Sequence, residues 1–107
     1  MGCSSIDVSP RYIVTTTVPI KEGKIPEVLA LFKKTNPNLV KNQKDWVRAI
    51  FSSNEKTGVV MVQAYWVNAQ SYMEFSNSSE FRQTMQQFGQ YFAGKPEVTI
   101  NEILFEM

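Results

Sequence analysis

Histidine is absent from the 107-residue chain, and cysteine occurs once, at Cys3. The first absence removes Ser-His-Asp and Cys-His nucleophile systems and histidine-ligated haem; the two together remove the usual zinc sites. A lone cysteine forms no intramolecular disulfide, so the expected compartment is the reducing cytoplasm. An excess of charge of one sign is also missing, since eleven Lys and Arg face ten Asp and Glu. Without a basic excess to neutralise phosphates, nucleic acid is not an expected partner. No apolar run is long enough to span a membrane, and only Met1 and Gly2 precede Cys3, too little for a lipoprotein signal. Gly2 and Cys3 stand where myristate and palmitate are attached, but Ile6 occupies the place where that pattern wants Ser or Thr. Residues 1–10 therefore read as a flexible tail and residues 11–107 as a single domain.

What the chain does have is aromatic surface. Seven Phe, four Tyr and two Trp supply a core that requires neither disulfide nor structural metal. Charge is unevenly spread, with nine basic and five acidic residues in 1–56 and two and five in 57–107. Such asymmetry either favours association between opposite ends of two copies or is simply solvated.

Arg11 to Ile20, rich in β-branched residues, reads as a first strand, followed by a turn at Lys21 to Lys24. Pro26 suits the first turn of a helix, and Val28, Leu29 and Phe32 recur at helical spacing. Pro37 predicts a stop near Asn36, with Leu39 to Lys44 a separate turn or short helix. Trp46 to Ser52 and Val59 to Val67 read as a hairpin across the polar stretch ending in Gly58. Asn68 is placed to cap a helix bearing Tyr72 and Phe75 on one face. Asn77-Ser78-Ser79-Glu80 has the form of a capping box with Asn77 as cap, opening a helix with Phe81, Met85, Phe88 and Phe92 at core spacing. Gly94 and Pro96 stop it, and Val98 to Met107 reads as a closing strand.

The order β-α-β-β-α-β is the ferredoxin-like α+β arrangement, a four-stranded antiparallel sheet with helices on one face. Both alternating sets of Val59 to Val67 are largely apolar, so both faces of that strand call for cover. One chain has helices for one face only, and a homodimer packed sheet against sheet meets the need.

With this order, the passage Tyr65-Trp66-Val67-Asn68-Ala69-Gln70-Ser71-Tyr72 and the break at Ser78-Ser79-Glu80-Phe81 resemble the antibiotic biosynthesis monooxygenase-like proteins, which are dimeric α/β barrels. The resemblance extends from Arg11 to Met107. It implies a monooxygenase acting on a small aromatic or polyketide-like molecule with no cofactor and no metal, the substrate's own enolate or phenolate reducing dioxygen. It places Trp66 and Phe75 in a substrate-binding cavity between sheet and helices, Tyr72 as a hydrogen-bonding or proton-relay group, and Arg82 as an anion stabiliser. Many family members carry a histidine roughly where Phe75 stands, and the haem-degrading members use a first-strand asparagine where this chain offers Thr15, Thr16 and Thr17. Haem chemistry is therefore not expected.

Plainer roles stand beside each of these. Trp66 reads first as core, Phe75 as core at helical spacing, Tyr72 as a half-buried helix residue, and Arg82 as a solvated surface cation. The Asp and Glu residues show no close pairing of the kind that separates acid from base. Arg48 and Glu102, expected on edge strands, either face solvent or meet across a subunit interface. The whole chain is either an enzyme or a non-catalytic binder of a small hydrophobic molecule in the same fold. RNA-recognition modules share the element order, but the third strand here, Val59 to Ala64, lacks their stacking aromatics.

Overall fold

The computed structural model describes residues 9–107; the readings of Cys3 and of the lipidation pattern lie outside the described residues. Along the chain run β1 (Tyr12–Pro19), α1 (Ile25–Val40), β2 (Trp46–Asn54), β3 (Val59–Trp66), α2 (Ala69–Ser76), α3 (Ser79–Phe88), a 3₁₀ turn (Gly89–Tyr91) and β4 (Glu97–Glu102). The strands form one antiparallel sheet in the order β2-β3-β1-β4. This is the expected ferredoxin-like α+β fold, with β1 and β3 central and β2 and β4 at the edges.

Local chemistry sets the hairpin. The Asn54 side-chain oxygen accepts from the backbone N–H of Lys56 (3.0 Å) and of Thr57 (3.2 Å), and Gly58 closes the turn at φ 71°, a left-handed conformation that costs glycine nothing. Strand pairing then fixes which side chains share a face. Val14 and Val18 on β1 lie beside Val60, Val62, Ala64 and Trp66 on β3, and on this side all three helices pack. One core cluster joins Val18, Ile20, Val28, Val60 and Phe88, the other Val14, Val40, Trp66 and Phe75. The opposite face carries Ile13, Met61, Gln63 and Tyr65, all partly exposed. There the Arg48 guanidinium sits 4.4 Å from the Tyr65 ring centroid.

Beyond shifts of one or two residues at strand ends, four boundaries differ from the sequence expectations. Helix α3 does not reach Gly94 but ends at Phe88, followed by the 3₁₀ turn, and Phe92 lies beyond the helix, because Tyr91 to Ala93 pair by backbone with Pro19 to Lys21. Helix α1 does not stop near Asn36 but runs through Pro37 to Val40. Proline denies the Lys33 carbonyl its usual donor, but the extra turn sets Val40 and Leu39 against the Trp66 cluster, and that burial outweighs one hydrogen bond. The cap of α3 is Ser78, whose hydroxyl accepts from Phe81 N–H at 3.2 Å. Asn77 is instead the last residue of the α2 turn, its N–H donating to carbonyls of that helix. Finally, β4 ends at Glu102, not Met107. Its partner β1 begins at Tyr12, opposite Glu102, and among the described residues the cross-strand bonds end with that from Ile103 N–H to the Arg11 carbonyl (2.7 Å). Leu104, Phe105 and Met107 are consequently exposed.

Arg48 and Glu102 both lie on edge strands as expected. Arg48 shares the face of its pair mate Tyr65, whereas Glu102 shares the face of Tyr12 and Trp66 and lies 3.8 Å from Arg11. Within one chain the two charges lie on opposite faces of the sheet.

Candidate functional site

Between the sheet and its helices lies an apolar cavity of about 340 Å³, within the size range of small-molecule sites. Trp66, at the end of β3, is 1% exposed. Two residues later the chain must turn into a helix, and Asn68 makes the turn sharp, its side-chain oxygen accepting from Gln70 N–H (2.7 Å) and Ser71 N–H (3.4 Å). Helix α2 therefore folds back over the strand it left. Its Tyr72 ring meets the Trp66 ring edge-on with centroids 5.7 Å apart, and Phe75 lies 5.3 Å from Trp66. The Ser78 break then turns α3 so that Phe81 packs on Phe75 at 5.1 Å. Trp46 is the register partner of Trp66 on β2 and lines the same end of the cavity.

No Asp, Glu, Lys or Arg lines the cavity. Among its polar liners, Thr35 and Thr84 already donate to the helix carbonyls of Leu31 and Glu80, each at 2.9 Å. The Trp66 indole N–H is buried without a hydrogen-bond partner, a state that costs a folded protein about 1–3 kcal/mol. Burial pushes the Tyr72 hydroxyl above the ordinary phenol value, with the Ser76 side chain partly opposing the shift. Tyr72 therefore holds its proton at neutral pH and is a donor, not a base. Among the described residues no group of His, Cys, Asp and Glu is placed to hold a metal ion. No helix of the described residues is long and apolar enough to cross a membrane.

Of the residues singled out in the sequence, the structure brings Trp66, Tyr72 and Phe75 together. Arg82 is exposed on α3 and is not among the cavity liners. Trp46 and Asn36, which the sequence did not single out, also line it, as does Thr16 of β1. Trp46 was accessible through strand pairing with Trp66. Asn36 was hidden by the proline that made the helix seem to end there.

The molecule so defined is a ferredoxin-like α+β domain with an apolar pocket between sheet and helices that reaches the surface at Pro96 and Val98. The sequence model of the family described as "Antibiotic biosynthesis monooxygenase" matches residues 11–87, and the chain belongs to that family. Solved structures with the same fold include a Bordetella bronchiseptica protein provisionally named an antibiotic biosynthesis monooxygenase, 14% identical, covering 91% of this chain and 100% of that one at a TM-score of 0.79. A Caulobacter crescentus protein with the same provisional name is 15% identical over 90% and 92% of the two chains, TM-score 0.77. Rv0793 from Mycobacterium tuberculosis is 14% identical over 92% and 98%, TM-score 0.73. At these identities the likeness is one of fold. No curated protein matches the chain in sequence.

Proposed function

We propose that the protein is a cofactor-independent monooxygenase of a small aromatic or polyketide-like substrate bound in the Trp66–Tyr72 cavity. The observation that carries this reading is an uncharged apolar cavity of about 340 Å³ walled at one end by the Trp66, Tyr72 and Phe75 rings. A flat apolar molecule with one carbonyl or phenol oxygen matches that lining. Trp66 and Phe75 supply wall, and Tyr72 a protonated donor.

Charge in the pocket decides the order of events. With no carboxylate or amine among the liners, the substrate's own acidity must provide the enolate, its proton passing to water and returning to the peroxide that forms later. The Tyr72 hydroxyl then favours the oxyanion over the neutral form, as a preorganised hydrogen bond does in a low-dielectric site. The enolate passes an electron to dioxygen and the resulting radicals combine into a carbon-bound peroxide. Loss of water converts the substrate CH₂ to C=O, one oxygen atom entering the product and the other leaving as water. Across a series of anthrones the rate should rise as the substrate becomes more acidic, and equal rates across the series would remove the mechanism. Arg82, exposed and outside the liners, is tested as an anion stabiliser by Arg82→Ala; unchanged turnover assigns it no catalytic role.

A second reading, a non-catalytic binder, is favoured by the same lack of a basic group in the pocket. It differs in one respect: the ligand binds without protein-dependent oxygen uptake.

The protein is further proposed to act as a homodimer. Supporting this are the partly exposed Ile13, Met61 and Tyr65 on the open sheet face and the opposite charge of the edges, Lys44 and Arg48 near β2 against Glu97 and Glu102 on β4. Sedimentation equilibrium should return twice the chain mass, and a chain mass at every concentration would refute the dimer.

A further inference from the structure

The hydroxyl of Ser71 donates a hydrogen bond to Asp45 Oδ2. Among the described residues it is the one side chain to side chain hydrogen bond that joins segments distant in sequence, 26 positions apart. Asp45 is tied down on its other side as well, its backbone carbonyl accepting from Val67 N–H at 2.8 Å. One residue thus grips the exit of β3 through its backbone and the first turn of α2 through its carboxylate. Each partner is adjacent in sequence to a cavity liner, Asp45 to Trp46 and Ser71 to Tyr72.

Helix α2 has eight residues, too few to be stable without outside contacts. It is bounded by the Asn68 cap on one side and the Asn77–Ser78 break on the other, so its helical backbone is interrupted at both ends. Against the sheet it is held by the Tyr72 and Phe75 rings on Trp66 and by the Ser71 to Asp45 bond. We infer that Asp45 and Ser71 are positioning residues that latch α2 over the cavity, so that releasing the latch swings Tyr72 and Phe75 away from Trp66 and opens the pocket at its tryptophan end. This makes the latch a control on ligand entry and exit for the binding site proposed above, and it touches no reacting atom.

Two measurements test it, only the second of which depends on that site binding a ligand. In hydrogen exchange, Asp45→Ala and Ser71→Ala should speed exchange of the α2 amides from Tyr72 to Ser76 about tenfold, the loss of one hydrogen bond to a charged acceptor, with β3 amides unchanged. Asp45→Asn keeps an oxygen able to accept from Ser71 and should restore slow exchange. Unchanged α2 exchange, equal acceleration in β3, or failure of Asp45→Asn to rescue would each overturn the latch; if Asp45→Ala does not fold, Ser71→Ala carries the test. In stopped flow, the neutral naphthyl ketone prodan is read by energy transfer from Trp46 and Trp66, the two tryptophans of the chain. Both variants should raise its association and dissociation rates together by about tenfold while leaving Kd within about threefold, the kinetic sign of a gate, which changes the barrier and not the bound state. A change in Kd alone would contradict a latch. If the wild-type protein binds no prodan, the ligand-site reading fails, and the exchange result decides the latch by itself.

Discussion

Trp66 combines two roles that usually exclude each other. It is among the most buried side chains of the core, and it leaves a polar atom unsatisfied. Substitution separates them. Trp66→Ala should destabilise the fold by about 3–5 kcal/mol, as large aromatic deletions do, read from urea unfolding. Trp66→Phe keeps much of the packing and deletes the orphan donor, so its stability cost should be well below that; an equal cost would mean that the indole ring is needed whole. Tyr72 is tested by pH. In the unfolded chain its hydroxyl ionises near about pH 10, and in the folded protein burial holds the proton to higher pH. Below the unfolded value both states are protonated and pH has no effect through this group. Above it the unfolded chain releases the proton first, so stability falls as pH rises until the folded value is passed. Tyr72→Phe should flatten that alkaline slope in unfolding experiments, and an unchanged slope would show that the hydroxyl is not held protonated. Trp66, Tyr72 and Phe75 were visible in the sequence because a strand end, a capping Asn and helical spacing place three rings on one point. The side from which Arg82 projects was not, because one helical step from Phe81 carries it out of the cavity wall.

At the scale of elements, the departures from sequence expectation share a cause. Local signals name a boundary, and tertiary contacts move it. Pro37 marks a helix end on local grounds, yet Val40 gains a buried place by continuing. Pro37→Ala returns the missing donor and should stabilise the protein by about 1 kcal/mol, raising Tm; a lower Tm would show that the proline is needed where it stands. In Asn77-Ser78 the sequence offers two capping side chains in succession, and α2 claims the backbone of the first. Ser78→Ala should then cost about 1 kcal/mol and Asn77→Ala clearly less, with the reverse order contradicting the assigned cap. The β4 boundary was illegible for another reason. Val98 to Met107 has strand composition throughout, but pairing stops where β1 begins, at Tyr12, and composition says nothing about the length of a partner.

For the molecule as a whole, the element order was legible because hydrophobic period changes from two to nearly four and back along the chain. The cavity was not, since a filled core and a lined pocket require the same apolar residues. Under the proposed function, its uncharged wall leaves the substrate to bring its own acidity, with shape and the Tyr72 hydroxyl as the protein's contribution. The most direct measurement is oxygen consumption with anthrone in air-saturated buffer, with no metal or cofactor added. Protein-dependent uptake of dioxygen, mole for mole with formation of anthraquinone and abolished in Trp66→Ala, is the predicted result. Anthrone oxidation no faster than in buffer alone would contradict an oxygenase.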